Sequence, residues 1–177
     1  MAEPEPARID PEEKEWLAAV GLLAVYWADL EIMMDTYIAT MIVHPSTYSL
    51  GDPSVDTDKE LDITFNRRIR MWKDALALLP VQDDLKTQSL ELAERARSAR
   101  NHRDILLHGE TRRDAKGRMT ANHLPRKRGQ KIQYVPYPPE KILKIAGEIL
   151  DIHASVTDLM IRTMAALLNN SPQLRGA

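Results

Sequence analysis

Arg95-Ala-Arg-Ser-Ala-Arg100-Asn-His-Arg-Asp-Ile-Leu-Leu-His108-Gly109 is the stretch on which the reading of this chain turns. Apolar residues recur at helical spacing through Leu92, Ala96, Ala99, Leu106 and Leu107, which makes it the last part of a long helix with one face in a core. Gly109 stands where a helix commonly closes in a left-handed cap. Arg103 falls inside the apolar stripe, and Asn101, Asp104 and His108 line an adjoining polar one. A guanidinium among apolar side chains is costly unless a counter-charge or a ligand compensates it.

The same periodicity organises the chain on either side. Upstream, Asp10 can cap and Pro11-Glu-Glu can open a helix that runs to about Val43. From Trp16 to Ala28 it is apolar nearly all round, which places it centrally in a bundle. Asp29, Glu31 and Asp35 interrupt that pattern. They are either the wet side of the helix or the source of an acid that neutralises Arg103 across the core. Residues 44–57 read as a loop, and a second helix runs from about Asp58 to Leu79 with Leu61, Phe65, Ile69, Trp72 and Leu76 on its stripe. Its Arg67, Arg68, Arg70 and Lys73 form a basic patch that fits a solvated face. The third helix covers Gln82 to His108.

Residues 109–138 are irregular, with turn signals at Asp114–Gly117 and Lys127–Gln130. Residues 118–124 and 131–137 suit two short antiparallel strands of a basic hairpin. Tyr134 and Tyr137 anchor this flap or offer a stacking face to a base. Pro138-Pro139-Glu140 then opens a fourth helix, on whose stripe His153 is a core histidine, and Asn169-Asn170-Ser-Pro172 ends it. The expected fold class is therefore all-α: an up-down four-helix bundle of long helices, with a small irregular or β-hairpin insert between the third and fourth. Residues 1–10 and 171–177 are expected as flexible tails to one domain spanning 11–170.

Composition narrows the chemistry. The 177 residues include no cysteine, which removes disulfides, thiolate metal sites and cysteine nucleophiles. The acidic, proline-rich start lacks the pattern of a signal peptide, and the longest apolar run has 13 residues, so the expectation is a cytoplasmic protein without a membrane partner. No phosphate-binding glycine loop, His-Glu-x-x-His pair or Gly-x-Ser-x-Gly elbow occurs, and neither a metal nor a cofactor is expected. The net charge of −2 hides an asymmetry: residues 1–80 carry 7 basic and 15 acidic side chains, residues 95–131 carry 12 basic and 3 acidic. A basic segment around Arg103 suits RNA or another phosphate-bearing partner, although a lysine- and arginine-rich loop is also simply well solvated. Its candidate contacts are Arg112, Arg113, Lys116, Arg118, Arg126, Lys127, Arg128 and Lys131.

Four Arg/His pairs in the chain are spaced five to seven apart, and only Arg103/His108 has an Asn or Asp directly after the arginine. With its following glycine and its place late on a long helix, Arg103-Asp104-Ile-Leu-Leu-His108 resembles the Arg-polar-x-x-x-His signature of the HEPN superfamily, helical nucleotide-binding domains of which many cleave RNA. The resemblance implies metal-independent cleavage in which a 2′-hydroxyl attacks the adjacent phosphate. His108 would act as base or acid, Arg103 would stabilise phosphate charge, and Asp104 would fix one or the other. Arg100, Asn101 and Glu31 would support them. One histidine hardly serves both ends of an in-line displacement. The resemblance implies the remedy, a homodimer that pairs two motifs in one composite site, and adds an inhibitory protein as a further partner class, as for nuclease toxins. His102 is the one-chain alternative, but it falls about 120° from His108 on the helix. The other reading is a non-catalytic HEPN-like module that binds a nucleotide, nucleic acid or protein through the basic surface.

Overall fold

Asp10 accepts from the Glu12 amide at 3.0 Å and Pro11 fills the first turn, so the chain enters helix α1 (Pro11–Ile42) as its sequence requires. A computed structural model describes residues 10–44, 64–122 and 134–170. Three further helices follow: α2 (Phe65–Leu78), α3 (Asp83–His108) and α4 (Pro139–Asn170). Between α3 and α4 lies a small antiparallel sheet of β1 (Glu110–Arg113), β2 (Met119–Asn122) and β3 (Val135–Pro136), in the order β1-β2-β3. This is the expected all-helical bundle with a small insert.

Three details differ from the sequence reading. Helix α2 begins at Phe65, capped by the Thr64 hydroxyl, which accepts from the Arg67 amide at 3.4 Å; the expected first turns from Asp58 lie outside the described residues. The insert gains β1, a strand of Glu-Thr-Arg-Arg that is exposed throughout and carries no apolar alternation to announce it. It pairs with β2 across the Asp114–Gly117 turn, and β2 pairs with β3 as 118–124 and 131–137 suggested. Gly109 is not left-handed: at φ −80° and ψ 166° it is extended. Glycine is required there for a different reason, since a Cβ would collide with the carbonyl oxygens of Ile105 and Asn122. The backbone of β2 lies directly on the end of α3.

The expected up-down order of the helices also differs, since they do not alternate in direction. Trp27 meets Phe65 and Tyr37 meets Trp72, each with ring centroids 5.2 Å apart, so α1 and α2 run the same way. Trp16 donates to the Tyr137 carbonyl and Tyr37 bonds Thr163, so α4 also runs with α1. Only α3 runs against the others, as Lys73–Glu94 and Asn66–Arg100 show against α2. Phe65, the first residue of α2, therefore lies at the level of Trp27, about 22 Å at helical rise from Ile42. Past Arg100, which meets Asn66 and Phe65, the last two turns of α3 extend beyond the described start of α2.

The core centres on α1, whose Trp16, Leu23, Trp27, Leu30, Met34, Tyr37 and Met41 are buried under the other helices. An 18-residue window of α1 reaches a mean hydropathy of 1.6, enough by length and composition to cross a membrane. Its packed face explains part of that composition, and an exposed outer row the rest. At the upper end, one polar cluster ties all four helices: Tyr37 Oη to Thr163 Oγ1 at 3.0 Å and to Ser89 Oγ at 3.5 Å, and Trp72 Nε1 to Ser89 Oγ at 2.7 Å. Burial raises the Tyr37 phenol above its ordinary value of 10.0, so it stays neutral.

Candidate functional site

Arg103 lies on α3 about one turn past Arg100, which meets Asn66 and Phe65 at the start of α2, and it faces α1. Its guanidinium stacks on Trp27, 5.1 Å from the ring centroid, which explains how an arginine sits in an apolar stripe. Its Nη1 donates to Asp104 Oδ1 at 2.8 Å and lies 3.3 Å from His108 Nε2. Its Nη2 lies 3.6 Å from Glu31 Oε1. The acid expected from α1 is thus Glu31. Asp35 is occupied elsewhere, taking a two-pronged contact from Arg68 at 2.7 and 3.1 Å while Arg68 Nη1 reaches Glu31 at 3.3 Å. Burial pulls Arg68 down, but the Asp35 hydrogen bond and the two carboxylate charges outweigh it and raise its pKa. The basic patch on α2 is therefore not wholly a solvated face.

The remaining groups follow from helical spacing. Asp104 is buried, and its Oδ2 lies 3.1 Å from Arg100 Nε, one turn earlier. Arg100 Nη1 donates to Asn66 Oδ1 at 2.8 Å, and its guanidinium covers Phe65 at 5.4 Å. Asn101 is exposed and, with Asn66, Arg97, Arg100 and Asp104, lines an open polar hollow of about 390 Å³. Arg68, Arg100 and Arg103 face Glu31, Asp35 and Asp104, so charge is balanced three against three. Three donors are left over: Arg100 Nε, whose contact with Asp104 lacks hydrogen-bond geometry, Arg103 Nε, and Nε1 of the Trp27 ring beneath it, all buried and without a hydrogen-bond partner among the described residues.

His108 is exposed on the last turn of α3. A guanidinium only donates, so in its contact with Arg103 the Nε2 atom must accept and the ring carries its proton on Nδ1. An unprotonated Nε2 beside a fixed cation, at a surface a ligand can reach, is a proton acceptor next to an anion-stabilising group.

His102 is not part of this arrangement. It faces α4, with Nδ1 3.1 Å from Tyr137 Oη. Burial pulls its imidazole below the ordinary 6.5 and the Lys141 charge adds to the shift, against Glu148. Tyr137 anchors the insert, its amide donating to the Met119 carbonyl at 3.1 Å and its carbonyl accepting from Trp16 at 2.9 Å. His153 is half-buried on α4.

The basic insert is less open than its composition suggests. Arg113 reaches Asp10, Glu12 and Glu13 at 3.4 to 3.8 Å, pinning the sheet to the start of α1. Arg118 is held by Asp114 at 2.7 Å, and that contact lowers the Asp114 carboxyl. Arg112 stacks on Tyr134, 3.2 Å from the ring centroid. Lys116 is exposed. Arg126, Lys127, Arg128 and Lys131 lie outside the described residues. Packing also brings in groups that no motif marks: Trp27, Asn66 and Arg68. Asn122 is a further one, buried with both amide atoms unpartnered among the described residues. Trp27 alone had a usable signal, since it stands four residues before Glu31 on one face of α1. No family model, curated protein or solved structure matches this chain.

Proposed function

We propose that this protein cleaves single-stranded RNA without a metal, at the Arg103–His108 pair. The observation that carries the reading is Arg103 Nη1, placed between Asp104 Oδ1 and His108 Nε2 at 2.8 and 3.3 Å. His108 Nε2 takes the proton of the 2′-hydroxyl, and the freed oxygen attacks the neighbouring phosphorus. The bond to the 5′-oxygen breaks, that oxygen gains a proton, and the products are a 2′,3′-cyclic phosphate and a 5′-hydroxyl. Arg103 stabilises the charge that builds on the phosphate. Asp104 and Glu31 set the guanidinium, and Arg100 and Asn101 border the hollow along which the strand continues. The second proton carrier is His108 of a second copy, brought up across a two-fold axis at the exposed polar stripe of α3.

His108→Ala should abolish cleavage of a mixed RNA pool in EDTA, with the new 5′-hydroxyl ends read by kinase labelling without prior phosphatase treatment. Wild-type protein that leaves the pool intact across several pH values would overturn the reading. A second reading is favoured by the closure of Arg103 onto Glu31 and Asp104, which spends its charge within the chain. On that reading the protein is a non-catalytic module, and it would bind RNA or an inhibitory protein with steep salt dependence and give no product.

A further inference from the structure

Six ionic side chains from three helices form one ladder of alternating charge. Asp35 holds Arg68 at 2.7 and 3.1 Å, and Arg68 Nη1 reaches Glu31 Oε1 at 3.3 Å. The same Glu31 oxygen lies 3.6 Å from Arg103 Nη2. Arg103 Nη1 reaches Asp104 Oδ1 at 2.8 Å, and the other Asp104 oxygen lies 3.1 Å from Arg100 Nε. Arg100 closes the ladder by donating to the neutral Asn66 at 2.8 Å.

Place on the ladder separates the three arginines. Among the described residues, Asp35 meets no cation but Arg68, and Asn66 meets no side-chain donor but Arg100. Arg103 differs, because each of its acids is held a second time: Glu31 by Arg68, and Asp104 by Arg100. These acids are only 23 % and 12 % exposed, and a carboxylate so enclosed is costly once its cation leaves. Loss of Arg103 from the ladder strands neither of them. Little else restrains it. Its contact with Glu31 is longer than a hydrogen bond, and its Nε has no partner to lose. The face of the Trp27 ring beneath it attracts a guanidinium without fixing its direction.

The closed ladder also occupies the base. Arg103 Nη1 sits 3.3 Å from His108 Nε2, on the lone pair that would have to take a proton. Departure of Arg103 frees that nitrogen and turns a cation toward solvent in one movement.

We infer that Arg103 swings between the ladder and an outside phosphate, and that Arg68 and Arg100 are positioning residues that keep Glu31 and Asp104 paired while it is away. The identity of the anion rests on the cleavage reading; the ladder does not.

Phenylglyoxal reacts with a guanidinium that is free of its acids. Its rate at Arg103 in the full chain, followed by peptide mass spectrometry, therefore reads the released fraction without any RNA. Arg68→Met leaves Glu31 with Arg103 as its only ladder cation, so the rate should fall about tenfold along with the released fraction. Arg100→Met should lower it through Asp104, and it leaves the α1–α2 ion pairs in place as an independent arm. Arg68→Lys should stay near wild type. If Arg68 and Arg100 only brace the helices, the Met variants loosen the site and Arg103 reacts faster, which would overturn the inference.

Net charge is separated from pairing by a second substitution in the Arg68→Met chain. Glu31→Gln should restore the rate. Asp35→Asn returns the same charge without touching Arg103 and should not, so equal recovery from both would also overturn the inference. Thermal melts establish that each variant is folded. An RNA pool left intact would remove the cleavage reading and leave the ladder standing, whereas faster modification of Arg103 in both Met variants would do the reverse.

Discussion

Two polar clusters sit in the same bundle and are built on opposite terms. Tyr37, Trp72, Ser89 and Thr163 come one from each helix, are neutral and fully buried, and bond to one another. Glu31, Arg103, Asp104 and His108 come from two helices, include three charged side chains, and open to solvent at His108. The first leaves no donor over among these four side chains, whereas the second leaves Arg103 Nε unpartnered. A satisfied neutral network fixes how helices dock, and any loss from it is felt as stability. An ion cluster with spare donors adds little to stability and holds groups ready for an outside partner.

That contrast is open to attack by substitution. The largest effect falls on the upper cluster: Trp72→Ala should cost about 3–5 kcal/mol in denaturant unfolding, since it empties a fully buried ring site and strips Ser89 and Tyr37 of their neighbour. Gly109→Ala comes next, at about 2–3 kcal/mol, because the added methyl meets two backbone oxygens that cannot step aside. It would show that the lower region depends on its backbone more than on its charges. His108→Ala should change stability by no more than about 0.5 kcal/mol, being exposed. A larger loss would mean the lower cluster is structural after all.

The smallest effect is a slope. The folded His102 has a pKa below 6.5, so the unfolded chain binds the extra proton first as pH falls. The stability tied to the neutral ring is present above pH 6.5 and is lost as pH drops through the folded value. Thermal melts should therefore decline on acidification over that window, and His102→Gln should flatten the decline.

Much of this was legible in the residues because the signals are local. Asp10-Pro11 and Pro138-Pro139 mark helix ends through their own backbone chemistry, and Arg103, Asp104 and His108 share two turns of one helix. What was not legible arrives through packing. Nothing in residues 43–64 states that α2 will run beside α1 in the same direction, and without that direction neither the ring of Trp27 under Arg103 nor the grip of Arg68 on Glu31 can be placed. β1 was hidden because Glu-Thr-Arg-Arg pairs through its backbone alone and buries nothing.

The direction of α1 also bears on the order in which the chain folds. Only α2 and α3 are joined by a short turn, with Trp72 meeting Ser89 just 17 residues on. The contacts that seat α1 on α4 close separations of 121 and 126 residues. Loop-closure entropy makes such contacts late and slow, so the α2–α3 hairpin is the unit that forms first. Helix α1, although it comes first in the chain and sits at the centre of the core, is held only once α4 exists to hold it. A polypeptide cut short before residue 139 would leave the most apolar helix without its longest partner, which marks α4 as the segment that completes the domain.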